Sequence, residues 1–486
     1  MLKELEKYFI PILILADCII ALIAFGLCMS ASLKEIRLIG QQYNLADFAA
    51  QLQAYSNFSN LSFLNLLLLT VFYPLVQLLY LSKTRVSFFS AGEIIFQVGK
   101  VILIMAALSI PLLVINANFK EDLYFIGISL FILFSLSSLM RFFTGLLIKS
   151  KNGNDHLLKA VIIIGTGAKS RETAKQIISH PEWGMRVSGF LTMDKEKIGQ
   201  VIKGLPVIAH LDDLALILKK YVVDCVLFEG DKKYLPILDY IQRRCKIEGL
   251  DFALTSPEPG LTQSDYDVHE RLDCLSFLFK KSVKQDPVKL SLKRIFDFIA
   301  SAILLCLSLP FFILIPFLIK RDTPGPVFFR QERVGKNGRR FIMYKFRSML
   351  DGAEKLQAQY MHLNEMDGPA FKIKNDPRVT IVGCFLRKTS LDELPQLFNV
   401  FKGDISLVGP RPPVYQEVYQ YRPWERKRLS VAQGITCLWQ VSGRNEIKFD
   451  EWMKLDLLYI ENWSLATDFK ILLQTIPAVI SRKGAQ

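Results

Sequence analysis

Residues 296–319 read FDFIASAILLCLSLPFFILIPFLI, an apolar run with a proline near its middle. Pro310 divides the run into two stretches, and neither half is long enough as a helix to cross a hydrocarbon core about 30 Å thick. Basic residues flank both ends, which favours the cytoplasmic side for each end. The flanking residues are Lys289, Lys293, Arg294, Lys320 and Arg321. The run therefore predicts a re-entrant helix broken at Ser308-Leu309-Pro310, with a plain span kinked at proline as the alternative.

Four further apolar runs precede this segment, each near the length of about 17 to 25 residues that a spanning helix needs. They lie at residues 9–29, 61–81, 101–117 and 123–148. They predict a transmembrane domain of four helices over residues 1–150, and the neighbouring lysines and arginines favour the cytoplasm for both ends. Asp17 lies inside the first run, where we expect a neighbouring helix to satisfy its carboxylate. A functional intramembrane carboxylate is the alternative.

Residues 151–284 have the alternating pattern of an α/β domain. Ala160–Ile164 predicts a buried strand, and Gly165-Thr166-Gly167-Ala168-Lys169-Ser170 follows before a helix through Ile178. This resembles the first βαβ unit of a Rossmann-type fold, in which glycines after the first strand approach a bound nucleotide. Gly165 and Gly167 are therefore candidate nucleotide-binding residues. Because Ser170 replaces the third glycine, a scaffold or regulatory domain is the alternative. Further strands are predicted at residues 187–191 and 222–228, and a helix at residues 211–220.

Toward the C-terminus, Ser390-Leu391-Asp392-Glu393 predicts the start of a helix. A carboxylate in the first turn of a helix lies near unsatisfied backbone N–H groups, stays ionised and can attack phosphorus. Ser390 and Glu393 also have the spacing of a capping box, so a well-formed helix start without chemistry is the alternative. Arg411 follows between two prolines that restrict its backbone, which favours a phosphate-binding arginine over a solvated one.

Composition limits the classes of function. Hydrophobic residues make up 51% of the 486 residues, too many for an ordinary soluble enzyme, while the formal net charge is +14. Most of the positive excess lies from Lys284 onward, which predicts anionic partners for the C-terminal part. No nucleic acid is expected, because a chain that inserts in lipid more often uses basic residues for headgroups and phosphorylated substrates. The five histidines form no cluster, which argues against a histidine triad or a zinc site.

From Lys293 to the end, a dense series of motifs stands in the order of a known family. The motifs are Lys293-Arg294-Ile295-Phe296-Asp297, Lys345-Phe346-Arg347-Ser348-Met349, Asp392-Glu393, Gly409-Pro410-Arg411-Pro412 and Trp439-Gln440-Val441-Ser442-Gly443-Arg444-Asn445. The chain resembles the long form of the bacterial polyprenyl-phosphate sugar phosphotransferases, also called monotopic phosphoglycosyl transferases. The resemblance implies a membrane protein of α and α/β class. Its parts are four N-terminal transmembrane helices, a Rossmann-like α/β middle domain at residues 151–284, and a mostly helical catalytic domain at residues 285–486 with a re-entrant membrane helix.

The resemblance also implies a two-step reaction. An enzyme aspartate attacks the sugar-linked phosphorus of a UDP-sugar, UMP leaves, and the hexose-1-phosphate, commonly of glucose or galactose, passes to undecaprenyl phosphate. By motif position Asp392 is the nucleophile and a ligand of the expected Mg²⁺ cofactor. Glu393 is its partner, as a metal ligand or as an acid or base. The residues expected near phosphate are Lys345, Arg387 and Arg411, with Asp456 as a further acid at the site.

The same resemblance implies a multi-pass protein of the bacterial inner membrane, with the active site on the cytoplasmic face. The expected partners are a UDP-sugar, undecaprenyl phosphate, the lipid bilayer and a second copy of the chain in a homodimer. The step would be the first membrane step of exopolysaccharide, capsule or O-antigen synthesis. Two other functions stay open: a non-catalytic scaffold or sensor of a polysaccharide assembly complex, and a membrane-anchored nucleotide-sugar oxidoreductase. The middle domain contains no Tyr-x-x-x-Lys pair to support the oxidoreductase.

Overall fold

The chain separates into two compact units, one of residues 2–157 and one that runs from Leu158 to Gln486. The predicted middle and catalytic domains both fall in the second unit. The computed structural model describes residues 16–24, 67–77, 91–115, 119–150, 158–180, 183–229, 237–255, 266–272, 275–283, 285–365, 371, 373, 376–442 and 447–480.

The first unit is helical where it is described. Residues 16–24 and 67–77 are helical, followed by α1 (Ala91–Ile115) and α2 (Phe119–Ser150). Among the described residues, no single helix combines the length and the hydropathy that crossing a membrane requires. The four predicted spans are therefore not confirmed, and much of the runs at 9–29 and 61–81 lies outside the described residues.

The carboxylate of Asp17 is satisfied by neighbouring helices, as expected. Arg141 of α2 approaches Asp17 to 2.8 Å, and the hydroxyl of Ser137 donates a hydrogen bond to it at 3.0 Å. Tyr73 and Gln77 extend the network, because Tyr73 donates to Ser137 and Gln77 accepts from Arg141. Buried charges are normally paired in this way, since an unpaired one is costly.

The middle domain is built on a mixed sheet with helices on both faces. The sheet has the strand order β3-β4-β2-β1-β5-β6-β8-β7, and β4, β2, β1, β5 and β6 are parallel. The predicted Rossmann-like alternation is thus confirmed. The strands are β1 (Lys159–Ile164), β2 (Met185–Thr192), β3 (Val201–Ile202), β4 (Leu205–His210), β5 (Cys225–Glu229), β6 (Asp251–Thr255), β7 (Val268–Leu272) and β8 (Leu275–Lys280). The helices are α3 (Ala168–Ser179), α4 (Leu214–Lys220) and α5 (Leu238–Glu248).

The two candidate nucleotide-binding glycines lie between β1 and α3. Gly165 has φ +103°, and a Cβ there would lie 3.0 Å from the hydroxyl of Ser170, so the turn itself requires glycine. Gly167 precedes α3 with an ordinary φ of −69°, and an added Cβ would have open space around it. Backbone geometry therefore accounts for Gly165 and not for Gly167. Nucleotide binding by this turn stays a prediction.

The catalytic domain consists of short helices around two small pairs of strands. An antiparallel hairpin joins β9 (Phe328–Val334) to β10 (Arg340–Phe346), and β11 (Ser406–Val408) pairs in parallel with β12 (Gly434–Thr436). The helices are α6 (Pro287–Leu307), α7 (Leu309–Asp322), α8 (Ile381–Lys388), α9 (Gln396–Lys402), α10 (Tyr415–Gln420), α11 (Leu438–Ser442), α12 (Phe449–Glu461) and α13 (Leu465–Ile480).

The apolar run at 296–319 forms a bent pair of helices. The axes of α6 and α7 differ by 58° at a break that falls on Ser308, so the predicted break is confirmed, although the helices extend beyond the run at both ends. Among the described residues, this pair alone has the length and composition of a broken span or a re-entrant loop.

Both ends of the bent pair are tied to the catalytic domain. Near the start of α6, the guanidinium of Arg294 donates to the last carbonyls of α9 at 2.6 and 2.8 Å. Just beyond α7, the guanidinium of Arg347 donates to the carbonyls of Thr323 and Pro324 at 2.7 Å each. Charged donors on backbone carbonyls are strong hydrogen bonds, so both ends are held against one body.

The turn of the β9–β10 hairpin docks on the middle domain. Arg339 donates to both carboxylate oxygens of Asp224, at 2.6 and 2.7 Å, and the amide of Asn337 donates to the same carboxylate at 2.6 Å. Asp224 is buried and directly precedes β5, so the hairpin contacts the edge of the sheet where the parallel strands begin.

This contact predicts a stability defect when Asp224→Asn is introduced. Removing one partner of a buried ion pair costs about 3 to 5 kcal/mol, because the remaining charge is left uncompensated. The apparent melting temperature of the purified protein should fall by several degrees, and limited proteolysis should separate the middle and catalytic domains more readily. Asp212→Asn is the matched control, because Asp212 of the same domain is 71% exposed and forms an ion pair with His210 at 3.2 Å, and exposed ion pairs contribute little to stability. Equal melting temperatures for the two variants would contradict a stabilising role for the contact between Asp224 and the hairpin.

Candidate active site

Of the six site residues predicted in the catalytic domain, five line one cavity of about 1950 Å³. The cavity lies between the β9–β10 hairpin, the segment that contains Asp392 and the loop that contains Arg411. Leu304 and Ser308, at the break of the bent helix pair, line another part of its wall. Ligand pockets usually measure about 300 to 1000 Å³. The cavity therefore has room for more than one ligand. The five residues are Lys345, Arg387, Asp392, Glu393 and Arg411.

The acidic pair opens a helical segment as predicted, but as a 3₁₀ turn and not as the first turn of the α-helix. Leu391–Glu393 forms one 3₁₀ turn, and the α-helix α9 begins only at Gln396, after Pro395. The capping box is also not formed: Ser390 has φ +56° and its side chain caps nothing. An N-cap needs an extended backbone, whereas Ser390 must reverse the chain directly after α8. Left-handed geometry at a residue other than glycine is strained and is often found at functional sites.

Asp392 presents a carboxylate without a partner. The residue is 8% exposed, and among the residues that the structure describes none outside Asp392 itself donates a hydrogen bond to this carboxylate. Burial raises the pKa of Asp392 to about 6, and the charge of Glu393 acts in the same direction, against the opposing charges of Lys345 and Arg387. The carboxylate is therefore desolvated but still mostly ionised at neutral pH, which suits a nucleophile.

The pKa of Glu393 is shifted in the opposite direction. Burial by itself would raise its pKa, but the charges of Lys345 and Arg411 outweigh burial and lower the pKa to about 2. Lys345 donates to the carboxylate at 2.6 Å, and Gln396 supplies a further hydrogen bond. Two neighbouring carboxyl groups whose pKa values are driven apart carry different roles. Glu393 stays ionised and paired with Lys345, whereas the carboxylate of Asp392 stays open to the cavity.

Arg387 and Arg411 bring two guanidinium groups to the cavity. Arg387 lies on α8, which packs closely on the chain after β10: a Cβ at Gly383 would lie 2.0 Å from the carbonyl of Ser348. This close approach lets the Nε of Arg387 donate to the hydroxyl of Ser348 at 3.0 Å. Arg411 lines the cavity, and no side chain among the described residues accepts a hydrogen bond from its guanidinium. Both groups are placed to bind phosphate.

Asp456 is not brought to the cavity. It is 1% exposed, lies behind the wall and forms an ion pair of 2.7 Å with Arg428, which is equally buried. Its role as an acid at the site stays a prediction.

Two cavity residues were missed by the sequence analysis. Burial and the like charge of Arg411 lower the pKa of Arg333 to about 10. Because Arg333 is still charged at neutral pH, it adds to the positive field of the cavity. Arg333 belongs to a basic stretch of the sequence, residues 333–338, whose charge by itself indicates no particular role. Glu417 also lines the cavity, near Arg333, and nothing in its sequence surroundings marks it.

The residues present fit Mg²⁺ only in part. The described residues contain no group of three or more histidine, cysteine or acidic side chains that could hold a metal ion. Mg²⁺ in phosphate sites is nevertheless often bound by one or two carboxylates together with substrate phosphates. Asp392, unpartnered and facing the cavity, fits such a single protein ligand, whereas Glu393 is occupied by Lys345.

Comparison with known proteins shows the family of this chain. Residues 288–482 match the family described as Bacterial sugar transferase. The undecaprenyl-phosphate galactose phosphotransferase of Salmonella typhimurium is 34% identical over 344 residues, which is 67% of this chain and 69% of that protein. The chain belongs to the bacterial sugar transferase family. Five of the motif residues predicted to act on phosphate in this sugar transferase thus meet in one cavity of its catalytic domain.

Two further relatives match a smaller share of this sugar transferase. The galactosyl transferase CpsE of Streptococcus agalactiae is 52% identical over 167 residues, 34% of this chain and only 37% of that protein's length. The UDP-glucose:undecaprenyl-phosphate glucose-1-phosphate transferase of Caulobacter vibrioides is 40% identical over 204 residues, 40% of this chain and 71% of that protein.

The environments of the two carboxylates predict stability changes of opposite sign. Because the folded pKa of Asp392 is raised, its charge destabilises the folded state above about pH 6, and the penalty disappears as the carboxyl becomes protonated. Asp392→Asn should therefore raise the apparent melting temperature at pH 8 and leave it unchanged at pH 4. The gain in the free energy of unfolding at pH 8 is at most about 3 kcal/mol.

Glu393→Gln is the matched control for that measurement. The folded pKa of Glu393 is lowered, so its charge stabilises the fold at neutral pH, and this contribution fades as the pH falls from about 4.5 toward 2. Glu393→Gln should lower the melting temperature at pH 8, and it also leaves Lys345 without its partner. Changes of the same sign in both variants would refute the separation of the two pKa values.

Proposed function

We propose that this sugar transferase moves a hexose-1-phosphate from a UDP-sugar to undecaprenyl phosphate, and that Asp392 carries the phosphosugar between them as a covalent intermediate. The observation that carries the proposal is the unpartnered, desolvated carboxylate of Asp392 in a cavity wall beside three cationic side chains. Membership of the family supports the overall reaction, as do the names of the relatives from Salmonella typhimurium and Caulobacter vibrioides.

In the first displacement an oxygen of Asp392 attacks the phosphorus that carries the sugar. An Asp–O–P bond forms, the bond from this phosphorus to the bridging oxygen breaks, and UMP leaves with that oxygen. Negative charge moves from the carboxylate to UMP, so no proton has to be transferred. Arg387 and Arg411 stabilise the phosphate oxygens, because guanidinium groups match phosphate in geometry and charge.

In the second displacement a phosphate oxygen of undecaprenyl phosphate attacks the same phosphorus. The Asp–O–P bond breaks and regenerates the carboxylate of Asp392, and the product is undecaprenyl-diphosphate sugar. A carboxylate with a pKa of about 6 is ionised for the attack and is still a good leaving group in this step. Leu304 and Ser308, which line the cavity from the bent helix pair, offer the lipid phosphate a route from the membrane side.

Glu393 acts by holding Lys345 in the cavity wall. Its lowered pKa excludes it as a proton donor at neutral pH, and its pairing with Lys345 at 2.6 Å fixes the ammonium group beside Asp392. An ammonium group fixed in a desolvated site stabilises phosphate charge without reorganisation.

The cofactor would be Mg²⁺, with Asp392 as the residue that would hold it. When bound, it neutralises diphosphate charge and stabilises UMP as the leaving group. The open carboxylate of Asp392 supports this assignment.

The protein works at the cytoplasmic face of the bacterial inner membrane, held by four N-terminal spans and by a re-entrant helix formed by α6 and α7. Re-entry is supported by contacts at both ends of the apolar run, because Arg294, just before the run, binds α9 of the catalytic domain, and Arg347 of the same domain binds the chain just beyond α7. A single plain span would place its two ends on opposite sides of the bilayer. The expected homodimer stays a prediction.

The sugar is glucose or galactose, in agreement with the names of the relatives. The product begins a bacterial exopolysaccharide, capsule or O-antigen. UMP release from a panel of UDP-sugars identifies the sugar.

The covalent intermediate is tested by Asp392→Asn in the full-length protein. With UDP-sugar labelled in the sugar and no acceptor present, the wild type should retain label on the protein and release an equal amount of UMP. Asp392→Asn should do neither, because the amide is a poor nucleophile. Its raised melting temperature at pH 8 would show that the loss is not unfolding. Turnover at the wild-type rate without any protein-bound label would overturn the covalent route.

The metal assignment predicts two effects of Mg²⁺. EDTA should stop UMP release by the wild type, and added Mg²⁺ should restore it. Mg²⁺ with UMP should also raise the melting temperature of the wild type but not of Asp392→Asn, because the ligand has been removed. Full activity in EDTA, or an equal thermal shift in both proteins, would rule out Asp392 as the metal ligand.

A further inference from the structure

A fully buried cluster of charged and aromatic side chains lies behind the loop that carries Arg411. Arg428 and Asp456 are each 1% exposed and form an ion pair of 2.7 Å. The indole of Trp452 donates to Asp456 at 3.1 Å, and the guanidinium of Arg428 donates to the hydroxyl of Tyr421 at 2.6 Å. The same guanidinium lies 5.2 Å from the ring of Trp452 and 5.8 Å from the ring of Tyr421. Arg428 is therefore fixed from several directions.

One member of the cluster, Trp452, lines the cavity, and Arg428 is linked to it through the backbone of Arg411. The Nη2 of Arg428 donates to the carbonyl oxygen of Arg411 at 2.9 Å, while the side chain of Arg411 lines the cavity. The neighbouring carbonyls are held as well: the N–H of Gly434 donates to Pro410 at 2.9 Å, and Arg333 donates to Pro412 at 3.0 Å. Three consecutive carbonyls are thus fixed, and the prolines restrict the backbone further.

Stability alone does not explain a buried ion pair at this place. Removing two charges from water is costly, and well-packed apolar side chains of similar volume often stabilise a fold as well or better. What apolar side chains cannot do is donate a hydrogen bond to the carbonyl of Arg411. Arginine donates in a fixed fork, so Arg428 can bind a carboxylate and a carbonyl at the same time.

The position of Arg411 matters because no described side chain holds its guanidinium. A long, free arginine side chain loses much conformational freedom when it binds phosphate. A fixed backbone at its base reduces the volume that the side chain must search. Misplacement of a phosphate-binding group by about 1 Å can reduce a rate by about a hundredfold.

We propose that Arg428, neutralised by Asp456, is a positioning residue that fixes the main chain of Arg411 so that its guanidinium meets the transferring phosphoryl group. The inference rests on the proposed function, in which Arg411 binds phosphate. It assigns Asp456 an indirect role behind the cavity wall, through Arg428, in place of a direct role as an acid.

The test compares Arg428→Lys with a matched control, Arg426→Lys. Arg426 lies in the same 3₁₀ segment, Glu425–Ser430, is 5% exposed and also donates to a backbone carbonyl, that of Glu248 in the middle domain. Among the described residues, this side-chain hydrogen bond of Arg426 goes to the middle domain and not to the loop of Arg411. Lysine at 428 keeps the charge beside Asp456 but cannot bind both oxygens as a fork. The rate of a single round of phosphosugar capture should fall about ten- to a hundredfold in Arg428→Lys and less than about threefold in Arg426→Lys.

A double-mutant cycle separates positioning from general destabilisation. If Arg428 acts through Arg411, Arg428→Lys should cause no further loss of capture rate in an Arg411→Ala background. Losses that multiply, or equal losses in the two lysine variants, would overturn the inference while the wild-type activity still stands. Failure of the wild type to capture phosphosugar would instead refute the proposed function.

Tyr421→Phe provides a milder variant if Arg428→Lys does not fold. It removes one hydrogen bond from the guanidinium of Arg428 without changing any charge. We expect a smaller loss of capture rate, of a fewfold, that again disappears in the Arg411→Ala background. A loss that persists in that background would refute positioning through Arg411.

Discussion

The catalytic domain depends on the charged start of one apolar helix. Arg294 of α6 binds the last carbonyls of α9, the helix that follows the acidic pair. Lys293 binds the carbonyl of Val408, which ends β11 shortly before Arg411, and Asp297 accepts the N–H of Leu407 in the same strand. One helix thus fixes the segment after Asp392 and the segment before Arg411 relative to each other. These side chains are buried, so the cost of desolvation is recovered only when every partner is in place.

Within that frame, two adjacent carboxyl groups acquire different properties from their neighbours. The charge of Glu393 is balanced by Lys345, and its carboxylate stays ionised. Asp392 is desolvated, has no hydrogen-bond partner among the other described residues and has a raised pKa. The difference arises from a single 3₁₀ turn, which directs the two side chains to different surroundings. The fixed elements are backbone carbonyls and buried ion pairs, and the groups left open are one carboxylate and the guanidinium of Arg411. This arrangement is what preorganised electrostatic catalysis requires.

The middle domain is attached by the edge of its sheet opposite to the glycine turn. Asp224, which binds the β9–β10 hairpin, precedes β5, whereas Gly165 follows β1, and the two strands are parallel. Open α/β sheets bind ligands at the carboxyl ends of their strands. The docking contact with the catalytic domain therefore does not use that edge.

The sequence by itself predicted the α/β middle domain, the break at Ser308 and five residues from Lys345 to Arg411 that meet in one cavity, because periodicity, proline and motif order can be read along the chain. It could not determine how the acidic pair is presented: local spacing predicted a capped helix start, but Ser390 adopts a left-handed conformation and its side chain forms no cap. Nor could it place Asp456 behind the wall, since its pairing with Arg428 joins residues from different elements. The pKa values of Asp392 and Glu393 likewise follow from burial and from charges distant in sequence, which only the tertiary structure brings together.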